Sequence, residues 1–199
     1  MITQCNDTEC RFIMKSLVHI DPKIKQRVTY VQNNYGVSLS DALEYVVTNN
    51  IALWAKVYVD WEARDYQIPI VTECKKSKKL VLRLGRRLGK TDSMCIAILW
   101  YAYTQYNKGD NNQYDIVIAT PYETQIDLIF KRLKQLLAMS PVLTSLITKD
   151  VQHKLVLNIN GIDSNIIGFT AGANNSSGGA NSTRGQRADL LVLDEADKP

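Results

Sequence analysis

Histidine is nearly missing from this 199-residue chain, with His19 and His153 its only two. A histidine-centred hydrolase is therefore not expected. Cysteine is almost as scarce: Cys5, Cys10, Cys74 and Cys95 are too few and too scattered for a disulfide scaffold. Cys5 and Cys10 could open a metal site, but no second ligand pair follows them, so reduced intracellular thiols are expected. No apolar run approaches the ~18–20 residues that a membrane span requires. The N-terminus, MITQCNDTECRF, lacks the basic-then-apolar order of a secretion signal. Internal repeats are missing too. What is present, 45% hydrophobic and 22% charged residues, is a globular composition. The length suits one domain with its own core, or a piece of something larger.

Charge is unevenly placed. The net +4 rests on one segment, KKSKKLVLRLGRRLGK at 75–90, with Lys75, Lys76, Lys78, Lys79, Arg83, Arg86, Arg87 and Lys90 and no acid. Outside those eight, 16 basic side chains face 20 acidic ones. Lys75 to Lys79 read equally well as a solvated face. The second half of the run contains Gly85 and Gly89 and ends in Lys90-Thr91, which is different chemistry.

Residues 1–60 read as a helical N-terminal segment. Ser38 to Asp41 offers a cap ahead of Ala42, Leu43, Val46, Val47, Ile51, Leu53, Trp54 and Val57 on helical spacing. Asp21-Pro22 and Asn33 to Gly36 read as turns between shorter helices, and a helix should stop or restart near Ile68-Pro69. From Leu80 the pattern becomes strand–helix alternation. Leu80-Val81-Leu82 is predicted as a strand, followed by a glycine turn and a helix over about Thr91–Tyr106. Ile116 to Ala119 is a second strand, and Ile126, Ile129, Phe130, Leu133, Leu136 and Leu137 share one face of the next helix. Asn160-Gly161 marks a hairpin between 155–159 and 166–169. Residues 171–188 form a polar, glycine-rich loop, and Leu190 to Leu193 a buried strand. The implied fold is α/β, with a mostly parallel sheet between helices over residues 61–199.

Gly85-Arg86-Arg87-Leu88-Gly89-Lys90-Thr91 falls between predicted strand and helix, the context of a phosphate-binding loop. Backbone N–H groups at a helix N-terminus are aimed there at anionic oxygens. Gly89 permits close approach, Lys90 reaches the β- and γ-phosphates of ATP, and Thr91 offers its hydroxyl to Mg²⁺. The usual first glycine is displaced by one, since Leu84 stands where it is expected. The second half of such a site is a carboxylate at the tip of a buried strand. Asp194-Glu195 follows Leu190 to Leu193, 104 residues beyond Lys90, with Asp194 suited to the Mg²⁺ shell and Glu195 to the role of general base.

From Trp54 to the last residue, this ordered set resembles the ATPase domain of large terminase subunits, the motors that package DNA into tailed-phage heads. Gly85 to Thr91 has the form of that family's divergent P-loop, which accounts for the displaced glycine. Arg64-Asp65-Tyr66-Gln67 resembles the family's adenine-recognising motif, with Gln67 as reader of the base edge and Tyr66 beside it. Ala119 to Gln125 resembles the segment after the second strand that links nucleotide to DNA. Ser182 to Gln186 resembles the loop ahead of the carboxylates.

The resemblance implies a P-loop NTPase fold and an Mg²⁺-ATP-driven translocase of double-stranded DNA. Such a translocase works as a ring homo-oligomer on the portal protein with a small terminase subunit, in the cytoplasm of an infected or prophage-carrying bacterium. Arg86 matches the arginine that senses or stabilises the γ-phosphate, and Arg184 reads as a similar group across a subunit boundary, a DNA contact or a plain loop arginine. Arg87 joins the loop's binding residues. Family members continue into a coupling motif and a nuclease domain. The chain is accordingly expected to be C-terminally incomplete, with DNA cutting assigned to sequence absent here. Asp194 to Asp197 also spells the signature of DEAD-box helicases, but Arg86-Arg87-Leu88 differs from their phosphate loop. A nucleotide-binding fragment with little turnover is the third reading.

Overall fold

The computed structural model describes residues 6–18, 20–85, 87–109, 113–170 and 187–194. The chain forms two units, Met1–Ala97 and Ile98–Pro199. The first is helical: α1 (Asp7–Leu17), α2 (Ile24–Tyr35), α3 (Leu39–Thr48), α4 (Ile51–Val59) and α5 (Gln67–Lys76), followed by the start of α6 (Lys90–Thr104). The boundary falls inside α6. No described helix is long and apolar enough to cross a membrane.

Local chemistry sets the helix ends. Gly36 adopts φ 63° after α2, a left-handed stop that suits glycine. The Ser38 hydroxyl accepts from the Asp41 N–H at 3.1 Å to start α3. The apolar stripe from Ala42 to Val57 is not one helix, because Asn50 interrupts it. Its side chain accepts from the N–H groups of Ala52 and Leu53 and begins α4. That helix is buried nearly all round, and Trp54 and Tyr58 stack with ring centroids 5.4 Å apart. Cys10 is buried and disulfide-bonded, which corrects the expectation of reduced thiols for that residue, while Cys74 and Cys95 are not in a disulfide.

Beside this core the Tyr58 hydroxyl donates to Glu44 Oε1, while Oε2 is buried without a partner among the described residues. Burial pushes the Glu44 carboxyl above its ordinary value, more than the Tyr58 bond lowers it. A raised carboxyl favours the fold while protonated. Its contribution is present below the unfolded value of 4.5 and is lost as pH rises through the folded one. Thermal melts of wild type and Glu44→Gln at pH 4 and pH 7 test this. Wild type is expected to lose stability relative to the variant over that interval, and parallel pH profiles would contradict the assignment.

The second unit is built on strands β1 (Gln113–Thr120), β2 (Ile147–Val151), β3 (Lys154–Ile159), β4 (Ile162–Thr170) and β5 (Leu190–Leu193), with α7 (Glu123–Ala138) and α8 (Pro141–Ser145). Their order is β2-β3-β4-β1-β5. β1 is parallel to β4 and to β5, whereas β2–β3 and β3–β4 are antiparallel. The expected P-loop NTPase fold with a mostly parallel sheet is thereby overturned: the sheet is mixed and its order is not that of such a fold. The reason lies in the connections. Only Gln152-His153 joins β2 to β3 and only Asn160-Gly161 joins β3 to β4, and a parallel pair needs a crossover of about a dozen residues or more. Asn160 (φ 53°) and Gly161 (φ 83°) are both left-handed, as the tight hairpin turn demands.

Two further strand expectations are corrected. Leu80-Val81-Leu82 forms no strand, and Val81 is 93% exposed. β5 forms but is not buried. It lies at the sheet edge with Leu191 and Leu193 more than half exposed. The amphipathic helix is as expected: Ile126, Ile129, Phe130, Leu133, Leu136 and Leu137 are all buried on α7.

Candidate functional site

The loop before α6 has an unusual backbone. Arg87 (φ 64°) and Gly89 (φ 66°) are left-handed, and Leu88 between them is not. For an arginine that conformation costs roughly 1 kcal/mol or more. Such alternation turns neighbouring N–H groups into one concavity, the arrangement that holds anions. The Gly89 carbonyl accepts from the Ser93 N–H at 3.0 Å, so α6 begins there. The first-turn N–H groups of an α-helix have no carbonyl of their own helix to bond. Lys90 and Thr91 on that turn are exposed, as are Gly85 and Arg87. Gly85 has no positive φ, and a Cβ there would meet Leu88 Cδ1 at an ordinary 3.5 Å, so the backbone does not require glycine at 85. Leu88 is 38% exposed. Arg86 lies outside the described residues.

Part of the basic run is occupied elsewhere. Lys75 Nζ donates to the carbonyl and side-chain oxygens of Asn49, the residue that closes α3. Lys76 pairs with Glu73 at 3.2 Å. Lys78, Lys79 and Arg83 are exposed.

Gln67 is 4% exposed. Its Oε1 accepts from the Arg64 N–H at 3.1 Å, and its Nε2 lies 3.4 Å from the Ser93 hydroxyl, to which it donates. A Cβ built on Gly89 would stand 2.5 Å from that same Nε2. The amide of Gln67 therefore rests against the backbone of the loop before α6. Tyr66 is 40% exposed, and its hydroxyl accepts from Arg64 Nη1 at 3.1 Å. Ser93, buried and adjacent to the loop, is the residue that sequence reasoning missed. Its place one turn into a helix after Gly-Lys-Thr carries no signal by itself.

In the second unit β1 is the switch point of the parallel strands, with β4 on one side and β5 on the other. Ligands of α/β sheets favour the carboxyl ends of strands at such a point. Thr120, Thr170 and Asp194 mark those ends here, with Thr120 paired to Thr170 and the Asp194 N–H donating to the Ala119 carbonyl at 3.1 Å. Asp194 thus continues the β1–β5 ladder by one residue. Thr120 is buried and donates to the Tyr122 carbonyl at 2.8 Å. Gln125, in the first turn of α7, has its Oε1 buried with no partner among the described residues. An acceptor is left over at this end of the sheet. Glu195 and Arg184 lie outside the described residues.

The opposite ends of the same strands are locked. Asp115, buried, receives the side-chain amides of Gln113 and Asn165 at 2.9 and 2.8 Å. Its N–H donates to Asp189 Oδ2 at 2.9 Å, the Asp189 N–H returns to its carbonyl, and Arg187 pairs with Asp189 at 2.7 Å. Nearby Tyr114 is pushed up to about 12, chiefly by burial and then by Tyr101 and Asp189, so it remains a neutral phenol. This cluster ties β5, which among the described residues has only β1 beside it, to that strand.

An open groove of about 540 Å³ along α7, lined by Asp127, Phe130, Lys131, Lys134 and Gln152, contains none of the site residues expected from the sequence.

For ATP the loop supplies N–H groups, an ammonium and a hydroxyl, a donor set that fits a polyphosphate. On the loop itself the Thr91 hydroxyl, next to Lys90 on the first turn of α6, is the group that would hold Mg²⁺. Among the described residues no group of three or more His, Cys, Asp or Glu gathers into a metal site. A scan against protein-family models finds no match, and a search of curated proteins finds none either.

Proposed function

We propose that this chain binds Mg²⁺-ATP at the loop 85–91 and hydrolyses it as the motor part of a phage terminase large subunit that drives double-stranded DNA packaging. The observation that carries the reading is the left-handed backbone at Gly89 and at Arg87, strained at the arginine, immediately ahead of the exposed Lys90 and Thr91. Strain of this kind persists where the surrounding fold enforces it and clusters at ligand clamps. ATP, when bound, supplies the phosphoryl group whose transfer releases the driving free energy. Lys90 would balance charge on the β- and γ-phosphates and Thr91 would hold Mg²⁺ beside the loop; by the sequence resemblance Asp194 would serve the Mg²⁺ shell and Glu195 would be the general base toward water. The ordered resemblance in sequence supports double-stranded DNA, the portal and a small terminase subunit as partners, in a ring inside the bacterial host.

Titration of the chain with Mg²⁺-ATP tests the first half. Because a hydrogen bond to a charged group contributes about 1.5–3 kcal/mol, Lys90→Ala is expected to bind about 10- to 100-fold more weakly. Equal binding by wild type and variant would sink the assignment. ATP hydrolysis stimulated by duplex DNA more than by RNA supports the packaging motor, and the reverse preference favours a helicase.

A further inference from the structure

Gln67 is singled out by the sequence as a reader of adenine, yet its placement suits another task. A side chain that reads a base must offer its amide to the ligand. This one is buried, and both ends of its amide are engaged inside the chain, Oε1 by the Arg64 N–H and Nε2 by the Ser93 hydroxyl. Ser93 itself is 1% exposed, so the second partner is equally withdrawn from solvent.

The amide also abuts Gly89, where an added side chain would meet it. Gly89 is left-handed, and the space its Cβ would take lies 2.5 Å from Gln67 Nε2. Ser93 donates its backbone N–H to the Gly89 carbonyl while its hydroxyl accepts from Gln67. Gln67, Ser93 and Gly89 thus form a three-cornered brace. It fixes where α6 begins and therefore where the N–H groups of Lys90 and Thr91 point.

We infer that Gln67 is a positioning residue for the phosphate loop, acting through Gly89 and Ser93 on the phosphate end of the ligand and not on its base. This rests on the phosphate-loop reading above. Any contact with the base is left to groups that reach solvent, of which Tyr66 is the nearest in sequence.

Base reading and loop positioning make opposite predictions for a ligand without a base. The full chain, Gln67→Ala and Ser93→Ala are titrated with Mg²⁺-ATP, Mg²⁺-GTP and Mg²⁺-tripolyphosphate, with far-UV circular dichroism confirming the fold of each. Gln67→Ala is expected to weaken all three ligands by one common factor of about tenfold, the equivalent of about one buried hydrogen bond. Ser93→Ala should do the same to a similar extent, and the double variant should be little worse than either single one, because the two side chains act as one brace. Should Gln67→Ala fail to fold, Ser93→Ala alone decides, since a conservative change remote from any base must still weaken tripolyphosphate. Loss confined to ATP, with tripolyphosphate affinity unchanged in the variants, overturns the inference and restores base reading. A wild type that binds none of the three overturns the phosphate-loop reading and this inference with it.

Discussion

Replacing Gly168 by valine is expected to lower the stability of the second unit by about 3 kcal/mol, near the upper end for overpacked cores. Gly168 lies in β4 opposite Ile118 of β1, where α7 comes down onto the sheet. A Cβ at this position would be 2.6 Å from Ile126 Cγ2 and 2.8 Å from Phe130 Cε2. Carbon atoms pack best at about 3.5–4.0 Å, so even the first added carbon is about 1 Å too close. Ile126 and Phe130 are both buried, so neither can swing aside without giving up apolar packing. The strand cannot withdraw either, because the Gly168 N–H donates to the His153 carbonyl and β4 is paired on both sides. The helix must lift, exposing the apolar face that holds it down. Thermal melts check this, with a fall of roughly 12–24 °C expected for a unit of this size. The cause can be separated from a general intolerance. Ile126→Ala opens space where the new carbon lands, so Gly168→Ala and Ile126→Ala together should cost less than the sum of their separate costs. Strict additivity would show that the contact is not the reason.

Glycine in a strand often marks a close approach by another element, but the sequence alone does not say which. The same limit explains where sequence reading of the fold succeeded and where it failed. Helix ends were legible because caps act locally: Ser38 and Gly36 each need only residues within one turn. The break at Asn50 was hidden because the apolar spacing continues through it, and periodicity reports a face without reporting a cap. β1 reads as a strand, since its consecutive apolar residues are buried on both faces. Pairing direction is not in that pattern. It was set by the two-residue links at Gln152-His153 and Asn160-Gly161, the second of which was visible as a hairpin and should have weighed against a mostly parallel sheet.

β2 could not be found by hydrophobicity, because four of its five residues are exposed and it is held by its ladder with β3. Leu80-Val81-Leu82 is the converse. It has the look of β5, yet β5 has β1 to bond with and 80–82 has no strand beside it among the described residues. Strand identity is a property of a pair. At the candidate site the glycine, lysine and threonine of the loop were readable one residue at a time. The left-handed Arg87 was not, since arginine rarely adopts that conformation and nothing in its neighbours announces it. The direction of Gln67 was likewise a tertiary fact. Its hydrogen-bond partner Ser93 is 26 residues away.

That placement makes Gly89→Ala the harshest single change available in the loop. Two costs arise together. Alanine at φ +66° carries the steric penalty of the left-handed region, about 1–2 kcal/mol, and its methyl falls 2.5 Å from Gln67 Nε2. The amide is the far end of a flexible chain, but it is buried and bonded at both ends. Moving it breaks the bond to Ser93 and strains the one from Arg64, and each buried polar group left unsatisfied costs a further 1–3 kcal/mol or so. If instead the loop moves, Gly89 leaves the left-handed region and α6 loses the start that aims the Lys90 and Thr91 N–H groups. Either route damages the cradle proposed for phosphate, so binding of Mg²⁺-tripolyphosphate is expected to fall by more than about 100-fold, further than in Lys90→Ala, where the backbone survives. Gly85→Ala is the matched control. Its φ is not positive and its Cβ would meet only Leu88 at 3.5 Å, so it should bind within about twofold of wild type if the cradle is made by backbone geometry rather than by small residues as such. Equal losses at 85 and 89 would show that the left-handed turn is not what holds the ligand.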